Sequence, residues 1–209
     1  MSLEHVLGRV DEFFTAKVRE FGPSHSGVDW NSQQSQELRF DQVLKIVRDP
    51  AEEFSIIDYG CGYGALAEYL DRKGFRARYT GFDVSAAMID QANKLFAKRG
   101  PTFTARESDL APADYVVANG IFNKKQDVPD ERWRQYMEEI VDRLDRLSLK
   151  GFAFDVLTLY SDLDRRRPDL YYADPNYWFD RCKRKYARHV ALLHDYPLWE
   201  FTILVRKQI

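Results

Sequence analysis

The sequence predicts an α/β chain: a mostly parallel, seven-stranded sheet with helices on both faces, an antiparallel C-terminal strand pair and an N-terminal helical cap. Three observations predict it. Short apolar runs alternate with helical patterns from Phe54 onward, which is the rhythm of a parallel sheet built from βαβ units. The first run ends in a glycine-rich turn, Gly60-Cys61-Gly62-Tyr63-Gly64, that opens a helix. Residues 189–194 and 199–206 read as two strands joined by the turn Asp195-Tyr196-Pro197, a closing antiparallel pair.

Each element follows from local pattern. Val6, Val10, Phe13 or Phe14 and Val18 lie at helical spacing over residues 3–21, and Phe21-Gly22-Pro23 stops that helix. A second helix is predicted over 33–47. The strand Phe54-Ser55-Ile56-Ile57-Asp58-Tyr59 is followed by a helix to about Lys73, and the strand ending at Asp83 by a helix to about Ala97, which Ser85 is placed to cap. A third strand starts at Thr102 with Asp109 just past its end, and a fourth starts at Ala113 and exits at Asn119. A long helix over 130–147, a fifth strand over 151–157 and a helix over 175–186 complete the order. No internal repeat, low-complexity run or linker interrupts it, so residues 1–209 form one domain, 1–50 a helical cap and 51–209 a catalytic core.

Composition bounds the class. The chain has 209 residues, 44% hydrophobic and 14% aromatic, enough for a full core. Its 31 basic and 33 acidic residues leave a formal charge of -2, so no global field draws it toward nucleic acid or a membrane. Cys61 and Cys182 are far apart and suggest neither a disulfide framework nor a metal site. No run of about 18 apolar residues is present, and Glu4, His5, Arg9, Asp11 and Glu12 make the start too charged for a signal peptide. A cytoplasmic setting is expected.

The chemistry begins at the glycine turn. Glycines at alternate positions let the backbone bend and a ligand approach, while the next helix offers free N–H groups. Spacing alone is ambiguous, because Gly60, Gly62 and Ala65 also fit the dinucleotide pattern G-x-G-x-x-G/A. Asp58, two residues before Gly60, weighs against a pyrophosphate, since each close charge pair would cost roughly 4 kcal/mol at a surface-like dielectric. A cationic cofactor is attracted instead. Asp83, at the tip of the second strand about 20 residues after the turn, suits the two hydroxyls of a ribose.

Asp58 leading Gly60-x-Gly62-x-Gly64 resembles the first motif of the class I S-adenosylmethionine-dependent methyltransferases, a Rossmann-like superfamily whose cofactor carries a sulfonium, an ammonium and no phosphate. The resemblance covers roughly residues 35–206. It implies that Asp58, Gly60, Cys61 and Gly62 hold the methionine end of S-adenosyl-L-methionine and that S-adenosyl-L-homocysteine is the product. It further implies that Val84 lies against the adenine, that Asp109 and the Leu110 N–H meet the adenine edge, and that Asn119 marks the boundary between cofactor and substrate. Residues ahead of the first strand fold across the site in this family. Trp30, Gln36 and Arg39 are therefore candidates to shield the cofactor, with Arg39 on its carboxylate; packing of Trp30 and a solvated Arg39 are the alternatives.

The acceptor is less legible. Asn119 is followed by Gly120-Ile121-Phe122, without the Pro-Pro-aromatic sequence of the enzymes that methylate bases or glutamine amides. That absence, with no basic extension, argues against nucleic acid and leaves a small polar molecule, O- or N-methylated. Phe122 and the loop tyrosines Tyr160, Tyr171 and Tyr172 are candidates for the substrate side, or for packing of the loop. Arg165, Arg166 and Arg167 meet an anionic substrate or carrier, or form a solvated run. His194 beside Asp195 is a candidate base, although positioning alone can drive an in-line methyl transfer. No metal is expected, since Asp155, Asn119 and Asn123 do not assemble into a convincing cluster. A non-catalytic cofactor-binding subunit and an NAD-type oxidoreductase are the other readings, and the oligomeric state is left open.

Overall fold

The computed structural model describes residues 3–28, 32–97 and 99–208. Seven strands form one sheet in the order β3-β2-β1-β4-β5-β7-β6. They are β1 Phe54–Tyr59, β2 Ala77–Phe82, β3 Thr102–Thr104, β4 Ala113–Ala118, β5 Ser148–Leu157, β6 His189–Leu193 and β7 Glu200–Arg206. β1 to β5 are parallel, and β7 runs antiparallel to both β5 and β6. The predicted class and the closing pair are both present.

Alternation along the central strands explains the two faces. Ile57, Val116, Phe152, Phe154, Phe201 and Ile203 pack in one cluster with α5 (Asp130–Leu147) and α6 (Pro175–Lys185). Ile56, Tyr115, Val117, Ala153 and Leu204 pack in the other with α2 (Gln33–Leu44) and α3 (Ala65–Arg72). Neighbouring residues on a strand thus serve opposite layers, as the period of two requires. α4 (Ala86–Leu95) begins at the Ser85 cap, whose hydroxyl accepts from Met88 N–H. α1 (Leu3–Phe21) lies outside the sheet layers and touches α4 and the short turn Ser26–Val28.

Boundaries differ from expectation where local hydrogen bonding intervenes. β3 is only three residues long: Thr104 Oγ1 accepts from Arg106 N–H and donates to Asp109, and the chain bends into a tight turn, Glu107–Asp109. α2 ends at Leu44, and Lys45, Ile46 and Val47 continue as tighter i to i+3 turns. β5 starts directly after α5, at Ser148, which pairs with Ala113 across an irregular register. Among the described residues no helix is long and apolar enough to cross a membrane.

Candidate active site

The carboxyl ends of β1, β2 and β4 meet in one cavity, where an open parallel sheet offers a ligand site. Its floor is the turn from Asp58 to Tyr63, and its sides are Phe82 to Val84 and Asn119 to Ile121. Leu7, Val10 and Phe14 of α1, Val28, and Gln36 and Phe40 of α2 close it from above, and Tyr136 of α5 reaches in from the other layer.

Glycine is required in this turn by both backbone and space. Gly60, Gly62 and Gly64 have φ of +88°, +54° and +88°, a region that side chains rarely enter. A Cβ at Gly60 would overlap Ile121 Cγ2, and one at Gly64 would come within 2.8 Å of Phe103. The turn also uses its own donors. Gly60 and Cys61 N–H both donate to Phe82 O at 2.7 and 2.9 Å, Gly62 N–H to Asp83 Oδ2 at 2.8 Å and Gly64 N–H to Cys61 O at 3.0 Å. These four amides are committed within the chain rather than aimed at a phosphate.

Among the described residues, two carboxyl-bearing side chains line the cavity. Asp58 Oδ2 accepts from Tyr79 O–H at 2.7 Å, while Asp58 Oδ1 is buried without a hydrogen-bond partner. Burial pushes Asp58 up to about 7, against the Tyr79 hydrogen bond, and the Asp83 charge adds to the rise. Asp83 accepts from Gly62 N–H and, at 2.9 Å, from Ser85 N–H. Burial still raises it to about 6, with a smaller push from Asp11 on α1. Asp11 belongs to a chain that fastens α1: its carboxylate accepts from the Thr15 hydroxyl at 2.9 Å, and Thr15 Oγ1 lies 2.7 Å from Ser85 Oγ. Cys61 is buried in the wall, and burial with two nearby carboxylates drives its thiol well above its usual range, which keeps it neutral.

An orphaned acceptor is a direct test of fit. A buried carboxylate oxygen without a donor is costly unless a ligand supplies one. Asp58 Oδ1 and the Asp83 carboxylate match the ammonium and ribose hydroxyls of an aminoacyl nucleoside, and no lysine or arginine lines the cavity among the described residues to meet a pyrophosphate. Such a ligand fits.

Several expected contributors stand elsewhere. Arg39 does not line the cavity: its guanidinium pairs with Glu200 at 2.6 and 2.8 Å and donates to Ser35 O at 2.8 Å, buried under α2. Asp109 is exposed, held by Thr104 at 2.8 Å and Arg106 at 3.0 Å, and Leu110 packs at the margin of the core, so neither reaches the cavity. Trp30 lies outside the described residues. His194 is exposed against Tyr160 and Phe201, on the sheet face opposite Asp155, because Phe201 and Thr202 alternate and Thr202 is the residue across from Asp155. Phe122 is a core residue, edge-on to Phe154, with its carbonyl accepting from Trp133 Nε1–H. Tyr171 is buried in the same core, Tyr172 O–H accepts from Arg167 N–H, and Tyr160 is half exposed beside Asn176. The arginine run is tied down internally: Arg165 to Asp164, Arg166 to the carbonyls of Leu159 and Ser161, Arg167 to Asp169.

The structure brings together Asp58, Gly60, Cys61, Gly62, Asp83, Val84, Asn119 and Gln36, and adds residues that pattern reading did not single out. Val10 and Phe14 were visible only as part of an apolar helix face, and Leu7 carried no signal of its own. Asp155, weighed from the sequence only with Asn119 and Asn123 as a cation cluster, instead receives Asn119 Nδ2–H at 2.8 Å and Gly120 N–H at 2.6 Å.

Comparison with known proteins agrees with this geometry. Residues 56–146 match the family described as "Methyltransferase domain", and one curated relative is 51% identical over 165 residues, spanning 78% of this chain and 99% of the relative. The chain belongs to the class I S-adenosylmethionine-dependent methyltransferases. That relative is "Putative methyltransferase Rv1506c" of Mycobacterium tuberculosis (strain ATCC 25618 / H37Rv). The trans-aconitate 2-methyltransferase of Afipia carboxidovorans is 36% identical over 115 residues, which span 49% of this chain and 41% of that protein. Among solved structures, magnesium protoporphyrin IX methyltransferase from Synechocystis PCC 6803 with bound SAH superposes with a TM-score of 0.67 at 16% identity, over 96% of this chain and 99% of that one. The shared fold is the seven-stranded sheet with its antiparallel closing pair.

Proposed function

We propose that the chain transfers the methyl group of S-adenosylmethionine to a small polar acceptor, and that residues 3–208 work as one domain whose α1 and α2 cover the cofactor. The observation that carries the site assignment is the unpartnered, buried Asp58 Oδ1 in the cavity wall. In this reading Asp58 meets the ammonium, Asp83 the ribose hydroxyls, and Val84 and Phe82 the nucleoside faces, while Asn119 and Gly120 border the methyl-bearing end. When bound, the cofactor supplies an activated methyl carbon, and the chain's part is to orient it and exclude water.

The lining favours an acceptor that is not an anion. Among the described residues its charged lining is Asp58 and Asp83, and Arg39, the basic candidate for the site, is paired with Glu200. Like charge at close range would raise the cost of holding a polycarboxylate. The relatives named for trans-aconitate share less than half of their length with this chain, so their acceptor is not carried over.

Titration calorimetry with S-adenosylhomocysteine tests the cofactor assignment: micromolar binding to the wild-type chain is expected, with at least a tenfold loss in Asp58→Ala and in Asp83→Ala. Wild-type protein that ignores this product would overturn the reading. Labelled methyl transfer into fractions of a metabolite extract, separated by charge, tests the acceptor; label confined to strongly anionic fractions would overturn that part.

A further inference from the structure

Behind the cavity, one buried polar cluster joins four parts of the fold. Asp155 of β5 is fully buried, Glu200 and Thr202 of β7 are nearly so, and Arg39 of α2 and Asn123 of the loop after β4 are buried beside them. Glu200 takes both Arg39 contacts and Asn123 Nδ2–H at 3.3 Å, while Asn123 Oδ1 accepts from Leu157 N–H at 2.9 Å. Asp155 instead accepts from Asn119 Nδ2–H and Gly120 N–H. The cluster therefore holds two carboxyl groups against one guanidinium among the described residues.

A second buried carboxyl beside a satisfied Arg39–Glu200 pair does not help folding. Desolvation disfavours its charge and Glu200 repels it, both of which raise its affinity for a proton. A group that costs stability and still occupies a fully buried position is explained by what it holds. Asp155 holds the two residues that leave β4 into the cavity wall. Gly120 has φ of +73°, and the next residue, Ile121, puts its Cγ2 where a Gly60 Cβ would stand.

We propose that Asp155 is a positioning residue for the methionine end of the cofactor: by accepting from Asn119 and Gly120 it fixes the loop after β4, with Ile121 seated on Gly60, as the wall of that end of the cavity. It rests on the cofactor assignment made above. Asp155 touches neither the cavity lumen nor the nucleoside end, so its influence passes through Asn119 and Gly120 and is confined to ligands that carry the amino-acid tail.

Two ligands separate this role from a structural one. S-adenosylhomocysteine has the tail, and 5′-methylthioadenosine presents the same nucleoside without it. Calorimetry with both on the wild type and on Asp155→Ala should show the preference for the tailed ligand falling roughly tenfold, the scale of one net hydrogen bond. 5′-Methylthioadenosine affinity should stay within about twofold. Asp155→Asn keeps an acceptor for Gly120 N–H and should restore most of the preference, with a melting temperature no lower than wild type. Should Asp155→Ala fail to fold, Asp155→Ser, whose shorter side chain cannot reach both Asn119 and Gly120, replaces it and must lose the same preference. A wild-type chain that binds neither ligand would remove the cofactor assignment itself. A wild type that prefers the tailed ligand, with that preference intact in Asp155→Ala, or in Asp155→Ser if the first does not fold, would overturn the positioning role alone.

Discussion

At the scale of single residues, the cavity depends on positions where a side chain is either forbidden or left without a partner. Gly60 combines a left-handed backbone with a neighbour, Ile121, in the space its Cβ would need. Gly60→Ala should therefore lose at least about 1 kcal/mol of stability from backbone strain and most of its affinity for S-adenosylhomocysteine as Ile121 is pushed away. Urea unfolding and calorimetry on the same preparation check both effects, and unaltered affinity would show that Ile121 does not shape the site. Asp58, Gly60, Gly62 and Asp83 were legible because they lie within 26 consecutive residues, 58 to 83, on a strand end, the turn after it and the exit of the next strand, and their roles follow from local geometry. Arg39 was not, because its partner Glu200 stands 161 residues away and only the packing of α2 on β7 brings them together. Asp109 follows a positional rule, yet Thr104 and Arg106, five and three residues before it, capture its carboxylate in a local turn. His194 illustrates the period of two: being near a sheet edge in sequence does not choose the face, and the register puts it with Phe201 rather than with Asp155 and Thr202.

At the scale of elements, α1 and α2 decide access. Leu7, Val10 and Phe14 of α1 and Gln36 and Phe40 of α2 together form the cavity's cover. α2 is the firmer of the two. Its Ser32 cap accepts from Ser35 N–H, Phe40, Val43 and Leu44 lie in the core, and Arg39 is locked to Glu200. Removing Arg39 alone would leave a buried carboxylate unpaired and cost about 3–5 kcal/mol. α1 rests on the sheet's rim through Val6, Leu7 and Val10 and is fastened at its middle by the Asp11–Thr15–Ser85 chain. Thr15→Val keeps the shape and removes that fastening. Amide hydrogen exchange in α1 of the ligand-free protein should speed up several-fold, and S-adenosylhomocysteine should associate faster in stopped flow, while exchange in β1 and β4 stays unchanged. Equal exchange in α1 of both proteins would exclude Thr15 as the fastening. The order of these helices was readable from apolar spacing and the Gly22-Pro23 stop, whereas the placement of the segment before β1 over the cavity came from the family resemblance alone, since an amphipathic helix specifies that one face is covered without saying by what.

At the scale of the whole molecule, the two cavity acids make folding, pH and cofactor binding one problem. Asp58 rises from the ordinary carboxyl value of 3.8 to about 7 and Asp83 to about 6, chiefly because folding removes both from water. The folded state thus binds more protons than the unfolded chain between pH 4 and 7, and stability must fall as pH rises through that window. The effect is fully expressed above pH 7 and absent below about pH 4; for Asp58 alone it is on the order of 4 kcal/mol at its upper bound. Acid-paired surface groups act in the opposite sense. Asp169, for example, is held below its ordinary value by Arg167 and Lys124 and loses support only as the solution becomes acidic. In the neutral range the buried pair dominates, so the urea midpoint of the ligand-free protein should be higher at pH 5.5 than at pH 8, and Asp58→Asn should flatten most of that slope. A ligand that places an ammonium beside Asp58 Oδ1 reverses the balance, because it favours the ionised carboxylate that folding alone disfavours. The rise in melting temperature given by S-adenosylhomocysteine at a fixed, saturating concentration should accordingly be larger at pH 8 than at pH 5.5, and this difference should shrink in Asp58→Asn. If the ligand-induced rise is the same at both pH values in the wild type, the ammonium does not meet Asp58, and the buried carboxylate would then have to be satisfied by another part of the cofactor.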